Sequence, residues 1–331
     1  MKKRALVSTA LCALLLPAPG AGEEATAVSE LKITTLSTML TEFGGVGEWG
    51  FAALIEADGH RILFDTGERP ETVLRNAEEL GVDLSTVDTV ILSHNHFDHT
   101  GGLVTLRREL KAHNPSALQQ THVGAGIFLP RSLDPVALER LPPIPRELLV
   151  SVQDVRERYE ALGGRFVVHD EPHELLPGLW ITGPIPRVHP ERNWTPFMRI
   201  GKGESLVEDN IPEDQALVID TTKGLVVVAG CGHAGIVNTL EYARSIGQGK
   251  PVHAVLGGFH LMSLPEEKVE WTGVKMRELG VEHLVGSHCT GIDTVRILRD
   301  SVGLGREAAV VDAVGAVFTL DGGIRPGVLN R

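Results

Sequence analysis

The densest group of metal-binding side chains in this 331-residue chain follows a short apolar stretch near residue 90. Three histidines and an aspartate fall within six residues, and they are His94, His96, Asp98 and His99. Neutral imidazole and carboxylate groups suit zinc, manganese and iron. Because only 14 of the 331 residues are histidine, this spacing indicates a metal site rather than a solvated polar turn.

A turn after a strand can divide these four side chains between two ions. His94 and His96 would face one metal, whereas Asp98 and His99 lie on the next turn and can serve a second metal. Four residues cannot complete two sites, so further ligands must come from other strand ends, where α/β folds place their chemistry. Three histidines follow predicted strands and small residues, and they are His233, His260 and His288.

Other polar residues near these strand ends allow two interpretations each. Asp65 ends a predicted strand, and its carboxylate would either orient a metal-bound histidine or form an Asx turn. His189 is either a further ligand or an exposed loop residue. Arg187 and Arg192 either bind an anionic substrate group or belong to a plain charged loop.

The N-terminal segment has the pattern of an export signal. Met1–Arg4 is basic, Ala5–Leu16 is an apolar run, and small residues with helix breakers follow. We predict a signal peptide over residues 1–22, cleaved near Ala21 or Gly22, and a periplasmic or secreted protein. The apolar run is too short to span a bilayer core of about 30 Å as a helix, so no membrane association is expected after cleavage.

Two cysteines, Cys231 and Cys289, remain beyond this segment. An oxidising compartment would permit a disulfide between them. Each of them lies close to one of the candidate histidines, so the sequence favours a role in the site over a structural bridge.

Composition narrows the classes of partner. The chain has 31 Lys and Arg against 43 Asp and Glu, a net charge of −12. A surface this acidic repels phosphate backbones, which argues against general nucleic-acid binding. An anionic small-molecule substrate remains compatible if a metal supplies local positive charge. No glycine-rich phosphate-binding loop opens a helix, so nucleotide-dependent chemistry has no support. The oligomeric state stays open.

The elements that must position these side chains follow from the apolar pattern. Strands are predicted at Leu31–Thr38, Phe51–Ala57 and Arg61–Asp65, the last two joined by a hairpin turn at Asp58-Gly59. Glu71–Leu80 has helical spacing of its apolar residues. Four further strands end just before the candidate ligands, at Thr89–Leu92, Gly224–Ala229, His253–Gly257 and His283–Gly286. This order predicts two packed sheets with helices outside.

The predicted organisation is one α/β domain over residues 31–322. Residues 114–165, rich in proline and containing a helical Val152–Leu162, are expected to form an insertion or lid over the site. Residues 186–214 are polar and punctuated by proline and glycine, which predicts a loop.

The histidine cluster, preceded by Phe64-Asp65-Thr66-Gly67, resembles the metallo-β-lactamase fold superfamily across residues 32 to 322. The resemblance implies an αββα sandwich with a dinuclear metal site on its rim. One or two divalent ions are therefore expected, zinc first, with manganese or iron as alternatives. In that superfamily a bridging aspartate usually follows the strand that ends here at Gly230. Cys231 stands there instead, and we expect His233, two residues on, to ligate in its place, while a ligand role of Cys231 itself stays open.

A narrower resemblance lies in the later motifs. Four segments are similar to the 7,8-dihydropterin-6-yl-methyl-4-(β-D-ribofuranosyl)aminobenzene 5′-phosphate synthases, and they are Asp214–Asp220, Lys223–Asn238, Gly257–Leu261 and Ser287–Gly291. That branch joins a pterin to a ribosyl-aminobenzene in methanopterin synthesis. Since pterin biosynthesis is cytoplasmic, the predicted export signal favours a different activity for this chain.

We therefore predict an exported metal-dependent hydrolase that uses metal-activated water on an ester, lactone, amide or phosphoester. Asp98 would hold the nucleophile or relay its proton besides ligating, and His260 would donate to a developing oxyanion. Two alternatives are kept. One is a pterin-transferring synthase like the resembled branch, and the other is a non-catalytic protein that holds a small ligand in the metal pocket.

Overall fold

The computed structural model describes most of the chain, namely residues 27–42, 44–134, 152–202 and 205–327. The predicted signal peptide, residues 1–22, lies outside the described residues, so it and the extracytoplasmic location stay predictions. Residues 135–151 of the predicted insertion also lie outside them. Within the described ranges, none of the helices combines the length and apolar character needed to cross a membrane.

The first large sheet has eight strands. In sheet order they are β18 (Gly323–Arg325), β17 (Val317–Thr319), β1 (Leu31–Ser37), β2 (Ala52–Ala57), β3 (His60–Phe64), β4 (Thr89–Ile91), β5 (Gln120–Gly124) and β7 (Arg165–His169). The strands from β18 to β3 pair antiparallel, and those from β3 to β7 pair parallel. The parallel strands bring their carboxyl ends to one edge.

The second large sheet has seven strands. They are β16 (Ala309–Val311), β15 (His283–Gly286), β14 (Val252–Gly257), β13 (Gly224–Ala229), β12 (Ala216–Thr221), β9 (Leu179–Ile181) and β8 (His173–Leu176). The strands β13 to β16 are parallel neighbours. Their carboxyl ends therefore form an edge of the same kind as in the first sheet.

A small third sheet corrects the loop predicted for residues 186–214. It consists of β11 (Ser205–Glu208), β10 (Met198–Lys202) and β6 (Arg131–Leu133). The strand β11 is mostly exposed. It therefore lacks the alternation of apolar and polar residues by which a half-buried strand is recognised in a sequence. The sequence signal on which the prediction relied was therefore missing.

All but one of the helices that the structure describes lie on the outer faces of the two large sheets. They are α1 (Thr72–Glu79), α2 (Phe97–Thr100), α3 (Leu103–Leu110), α4 (Val152–Ala161), α5 (Ile236–Ile246), α6 (Glu266–Glu278) and α7 (Ile292–Val302), and a 3-10 turn spans His288–Thr290. The exception is the short α2, which carries Asp98 and His99. Residues of α1, α3 and α4 pack on the first sheet. Residues of α5, α6 and α7 pack on the second. This αββα arrangement confirms the predicted α/β sandwich.

The core between the sheets follows from the two-residue period of the strands. Ile55 of β2 lies between Ile33 and Ile62 on the neighbouring strands, and all three face the second sheet. The next residue, Leu54, points the other way and packs with the helices of the outer layer. The strand β2 thus contributes to two apolar layers.

Part of the predicted insertion belongs to the packed body. The strand β5 lies between β4 and β7 in the first sheet. From α4, the buried Tyr159 hydroxyl donates to the carbonyl of Leu118 at 2.7 Å and accepts from the Thr121 hydroxyl at 2.8 Å. These contacts tie residues 152–161 to the first sheet.

Replacing Ile55 tests the layer between the sheets. Ile55 is fully buried, so Ile55→Ala should lower the free energy of unfolding by about 2–5 kcal/mol through lost burial and the cavity left behind. Val168→Ala is the matched control, because Val168 is 53% exposed and its truncation should change stability by less than about 0.5 kcal/mol. Urea unfolding measures both, and equal losses would contradict the assigned layer.

Candidate metal centre

The site residues come together where the carboxyl ends of parallel strands in both sheets meet. Each candidate lies within three residues of the end of one strand: Asp65 after β3, His94 after β4, Cys231 after β13, His260 after β14 and His288 after β15. One rim of the sandwich therefore brings together side chains of which the first and the last are more than 200 positions apart in the sequence. Loops at this rim are held by rigid strands on both sides.

The histidine rings form one compact cluster. The ring centroid of His94 lies 4.5 Å from that of His96, 4.3 Å from that of His99 and 4.7 Å from that of His233. His96 and His233 are 4.8 Å apart. The structure thus places a histidine from the second sheet among those of the first.

Several polar atoms in this cluster are buried without a hydrogen-bond partner among the described residues. They include the Nε2 atoms of His94 and His233 and the Oδ1 atom of Asp98. A buried polar atom without a partner costs about 1–3 kcal/mol. Because imidazole nitrogen and carboxylate oxygen are metal ligands, these atoms fit a bound divalent ion.

The potential ligand atoms fall into overlapping sets, within each of which all atoms lie within 4.8 Å of one another. There are four such sets among the described residues: Asp98, His99, Cys231 and His288; His94, Cys231 and His233; His94, His96 and Asp98; and Cys231, His260 and Cys289. Cys231 belongs to three of these sets and Asp98 to two. The arrangement therefore offers two neighbouring ion positions with Cys231 and Asp98 between them.

Asp65 orients this cluster from behind. Its Oδ2 accepts hydrogen bonds from His99 Nδ1 and from the Ser93 hydroxyl, each at 2.7 Å, and its Oδ1 accepts from the Ser93 amide at 2.7 Å. His99 Nε2 is thereby directed towards Cys231 Sγ, 3.1 Å away. Of the two interpretations of Asp65, the structure supports the carboxylate that fixes a ligand histidine.

Burial sets the protonation states of the ligands. Burial, reinforced by neighbouring imidazoles, holds the pKa of His94 and of His233 well below the usual range, and burial lowers the pKa of His96 to about 4. Burial alone would raise the pKa of Asp98, but His99 and His288 outweigh it and keep that pKa low. Three neutral imidazoles and an ionised carboxylate are thus available to a cation.

His99 differs from the other histidines. Burial works against its charged form, but the carboxylates of Asp65 and Asp98 outweigh burial and raise its pKa to about 9. A cation held by His99 would take the place of that proton, and the carboxylate of Asp65 would compensate the positive charge in either state.

Two of the predicted histidines have left-handed backbone. The φ angles are 51° at His260 and 48° at His288, a conformation that costs a non-glycine residue about 1–3 kcal/mol. The ring of His260 is half-buried and lies 4.6 Å from that of His233. His288 Nε2 lies 3.2 Å from Asp98 Oδ2. This strained backbone conformation directs both imidazole rings towards the cluster.

The two cysteines meet at the site as free thiols. Both are buried, and their sulfur atoms are 3.3 Å apart, a hydrogen-bonding separation rather than a covalent bond. Cys289 Sγ also accepts a hydrogen bond from the His260 amide at 3.3 Å. Of the two interpretations, the structure supports the role in the site.

Three other candidates lie away from the cluster. His189 Nε2 is 2.9 Å from a carboxylate oxygen of Glu241, and none of the candidate ligand sets includes it. Arg187 donates to the main-chain carbonyls of Asn210 and Ile211, and Arg192 pairs with Glu208. Both arginines thus tie the segment before β10 to the end of β11 and the residues after it.

Sequence reasoning missed two neighbours of the ligands. His233 Nδ1 donates to the main-chain carbonyl of Asn193, which directs Nε2 into the cluster. Any residue type can supply a carbonyl, so the sequence holds no signal for it. Trp49 lies shortly before β2 of the first sheet, and its ring is 4.6 Å from that of His288, which follows β15 of the second sheet. The two meet only because the sheets pack together.

Comparisons with known proteins agree with this fold. The family model of the metallo-beta-lactamase superfamily matches residues 50–245. The 7,8-dihydropterin-6-methyl-4-(beta-D-ribofuranosyl)-aminobenzene-5'-phosphate synthase of Methanocaldococcus jannaschii is 32% identical over 273 residues, which cover 80% of this chain and 89% of the synthase.

Solved structures show the same similarity. Tm1679, a metal-dependent hydrolase of the beta-lactamase superfamily, superposes with a TM-score of 0.67 at 26% identity, covering 87% of this chain and 98% of its own. Zn(2+)-bound PqqB from Methylobacterium extorquens has a TM-score of 0.50 at 13% identity, covering 87% and 99% of the two chains. The second similarity concerns the fold alone.

The predicted function, an exported hydrolase, is wrong. A curated relative that spans four fifths of this chain is a synthase, and it favours the first alternative, a pterin-transferring synthase. The prediction failed because it followed the N-terminal segment instead of the later motifs that carry the narrower resemblance.

Replacing Asp65 tests its orienting role. Asp65→Asn removes the charged acceptor of the His99 hydrogen bond, so zinc affinity should fall about 10- to 100-fold while the chain stays folded. Competition with a chromophoric chelator measures the affinity, and circular dichroism reports folding. Asp83→Asn, in an exposed turn, is the matched control and should bind zinc like the unmodified chain. Equal affinities of the two variants would remove Asp65 from the site.

Proposed function

The chain belongs to the metallo-beta-lactamase superfamily, and on that premise we propose that it is a metal-dependent synthase that joins a pterin to an arylamine. The observation that carries the proposal is the similarity to the methanogen synthase across most of both chains. The metal-binding side chains assembled at the rim support it, since Cys231, His233 and His288 lie in the segments that resemble that branch.

The proposed reaction is a substitution at a methylene carbon. One substrate is a 7,8-dihydropterin whose 6-methyl group carries a diphosphate, and the other is 4-(β-D-ribofuranosyl)aminobenzene 5′-phosphate. A C–N bond forms between the methylene carbon and the arylamine nitrogen. The C–O bond to the diphosphate breaks, and diphosphate leaves with the bonding electrons. The nitrogen loses one proton, so no oxidant or reductant is required.

Seven side chains would hold one or two divalent ions, and they are His94, His96, Asp98, His99, Cys231, His233 and His288. Zinc is the ion we propose first, because imidazole and thiolate donors favour it over the harder cations, with iron or manganese as alternatives. When bound, the ion supplies positive charge that stabilises the negative charge developing on a departing phosphate oxygen.

The remaining steps fall to the residues of the chain. His260 lies half-buried beside the ligands, and its Nδ1 has no hydrogen-bond partner among the described residues. We assign it the proton that the arylamine nitrogen loses. Asp98 stays ionised at neutral pH because its histidine neighbours lower its pKa. Its carboxylate would therefore act as an anionic ligand of the ion.

Product formation is the direct test. The metal-loaded chain is incubated with both substrates, and liquid chromatography with mass spectrometry follows the coupled product and free diphosphate in equal amounts. Omitting either substrate is the control. Absence of product with zinc, iron and manganese in turn, from protein that has bound the metal, would overturn the proposal.

Metal content tests the ligand assignment. The chain purified without chelator should carry one or two ions by inductively coupled plasma mass spectrometry. The double variant His96→Ala with Asp98→Ala removes ligand atoms from two of the overlapping sets, so it should lose metal and product formation together. His113→Ala, an exposed histidine, is the matched control and should keep both. Retained activity in the double variant would refute the assignment.

Replacing His260 separates proton transfer from metal binding. His260→Gln keeps a polar side chain but cannot accept the proton, so kcat should fall about 10²- to 10⁴-fold with metal content unchanged. His113→Gln should leave kcat as it is. Loss of metal from the His260 variant would instead make His260 a ligand, and an unchanged kcat would exclude it from the proton transfer.

A further inference from the structure

A cavity of about 510 Å³ opens beside the metal centre. It lies between the loop of residues 189–193 and one face of α6, and its apolar wall includes Leu264, Pro265 and Trp271. Cavities of this size, mainly apolar with a few polar groups, are typical of small-molecule sites. The cavity lies outside the candidate ligand sets, so the metal centre does not account for it.

Asn193 connects the cavity to the metal centre. It lines the cavity, and its main-chain carbonyl accepts the hydrogen bond from His233. Its side chain is 3% exposed and donates from Nδ2 to the carbonyl of Gly232 at 3.3 Å. The Oδ1 atom has no hydrogen-bond partner among the described residues. A buried acceptor without a partner at this position calls for a donor from a ligand.

The wall on α6 combines an aromatic ring with cations. Lys268, Trp271 and Lys275 are spaced by three and four residues, which places them on one face of the helix. Lys275 pairs with Glu278 at 2.7 Å. Lys268 forms no ion pair with any residue that the structure describes. The cavity thus has a flat apolar surface beside a cation that is available to an anionic group.

We propose that this cavity, the acceptor cleft, binds an arylamine that carries a phosphate. The amine donates to Asn193 Oδ1 at the end next to the metal centre, the aromatic ring packs on Trp271, and the phosphate pairs with Lys268 near the surface. This inference rests on the proposed synthase function, and it assigns the cleft to the second substrate of that reaction.

Charge placement distinguishes the two substrates. The diphosphate of the pterin substrate is its reacting group, so its negative charge belongs at the metal centre. The phosphate of the arylamine is separated from the reacting nitrogen by a benzene ring and a ribose. A cation at the open end of the cleft therefore matches the arylamine, and Asn193 at the inner end matches its N–H donors.

The test measures binding rather than turnover. The zinc-loaded full-length chain is titrated calorimetrically with 4-(β-D-ribofuranosyl)aminobenzene 5′-phosphate and with its dephosphorylated form. Lys268→Gln should weaken binding of the phosphate form about tenfold and that of the dephosphorylated form less than about twofold, because only the first loses a charge-assisted contact. Trp271→Leu should weaken both forms about tenfold, since both stack on the indole.

Arg277→Gln is the matched control, because Arg277 lies on α6 but does not line the cavity. It should bind both probes like the unmodified chain. Equal weakening by the Arg277 and Lys268 variants, or no binding by the unmodified chain, would overturn the acceptor cleft. If Lys268→Gln weakens binding of the phosphate form alone but no coupled product forms, the cleft is supported and the synthase reaction is refuted. If product forms but Lys268→Gln binds the phosphate form like the unmodified chain, the synthase reaction is supported and the cleft is refuted.

Discussion

The hydrogen bond between Asp65 and His99 is the contact on which the rim depends. Asp65 follows β3 of the first sheet, and the far side of the His99 ring faces Cys231, which follows β13 of the second. Ser93 strengthens the connection, since it donates to Asp65 while its carbonyl accepts from the Gln215 amide at 3.0 Å. One carboxylate thereby fixes the position of a ligand relative to both sheets.

The rim contains features that destabilise the folded state, and the packing of the rest of the fold must offset them. Asp65, His260 and His288 adopt left-handed backbone without being glycine, and several polar atoms are buried without partners. These features persist only where the surroundings over-determine them. Three continuous apolar layers, one between the sheets and two beneath the helices, supply that constraint. The strained residues lie at the strand ends, where the rigid layers stop.

Sequence reasoning reached the parts of the site that are local. The cluster from His94 to His99 is contiguous, and His233, His260 and His288 each follow an apolar strand, so both patterns are visible without coordinates. The same apolar strands made the αββα sandwich predictable. The residues that support the ligands could not be predicted in this way. Asn193 acts through its main-chain carbonyl, and the acceptor cleft lies between a loop and a helix some 75 residues later.

The function was hard to predict for a chemical reason. A divalent ion stabilises a departing oxygen whether the attacking group is water or an amine, so the ligands alone do not determine the reaction. What decides it is the group held against the reacting carbon and the exclusion of water from that position. Under the proposed function, that choice would lie with Asn193, Trp271 and Lys268, which line the acceptor cleft and stand outside the ligand sets. Specificity for an amine would then be a property of the cleft and not of the metal ligands.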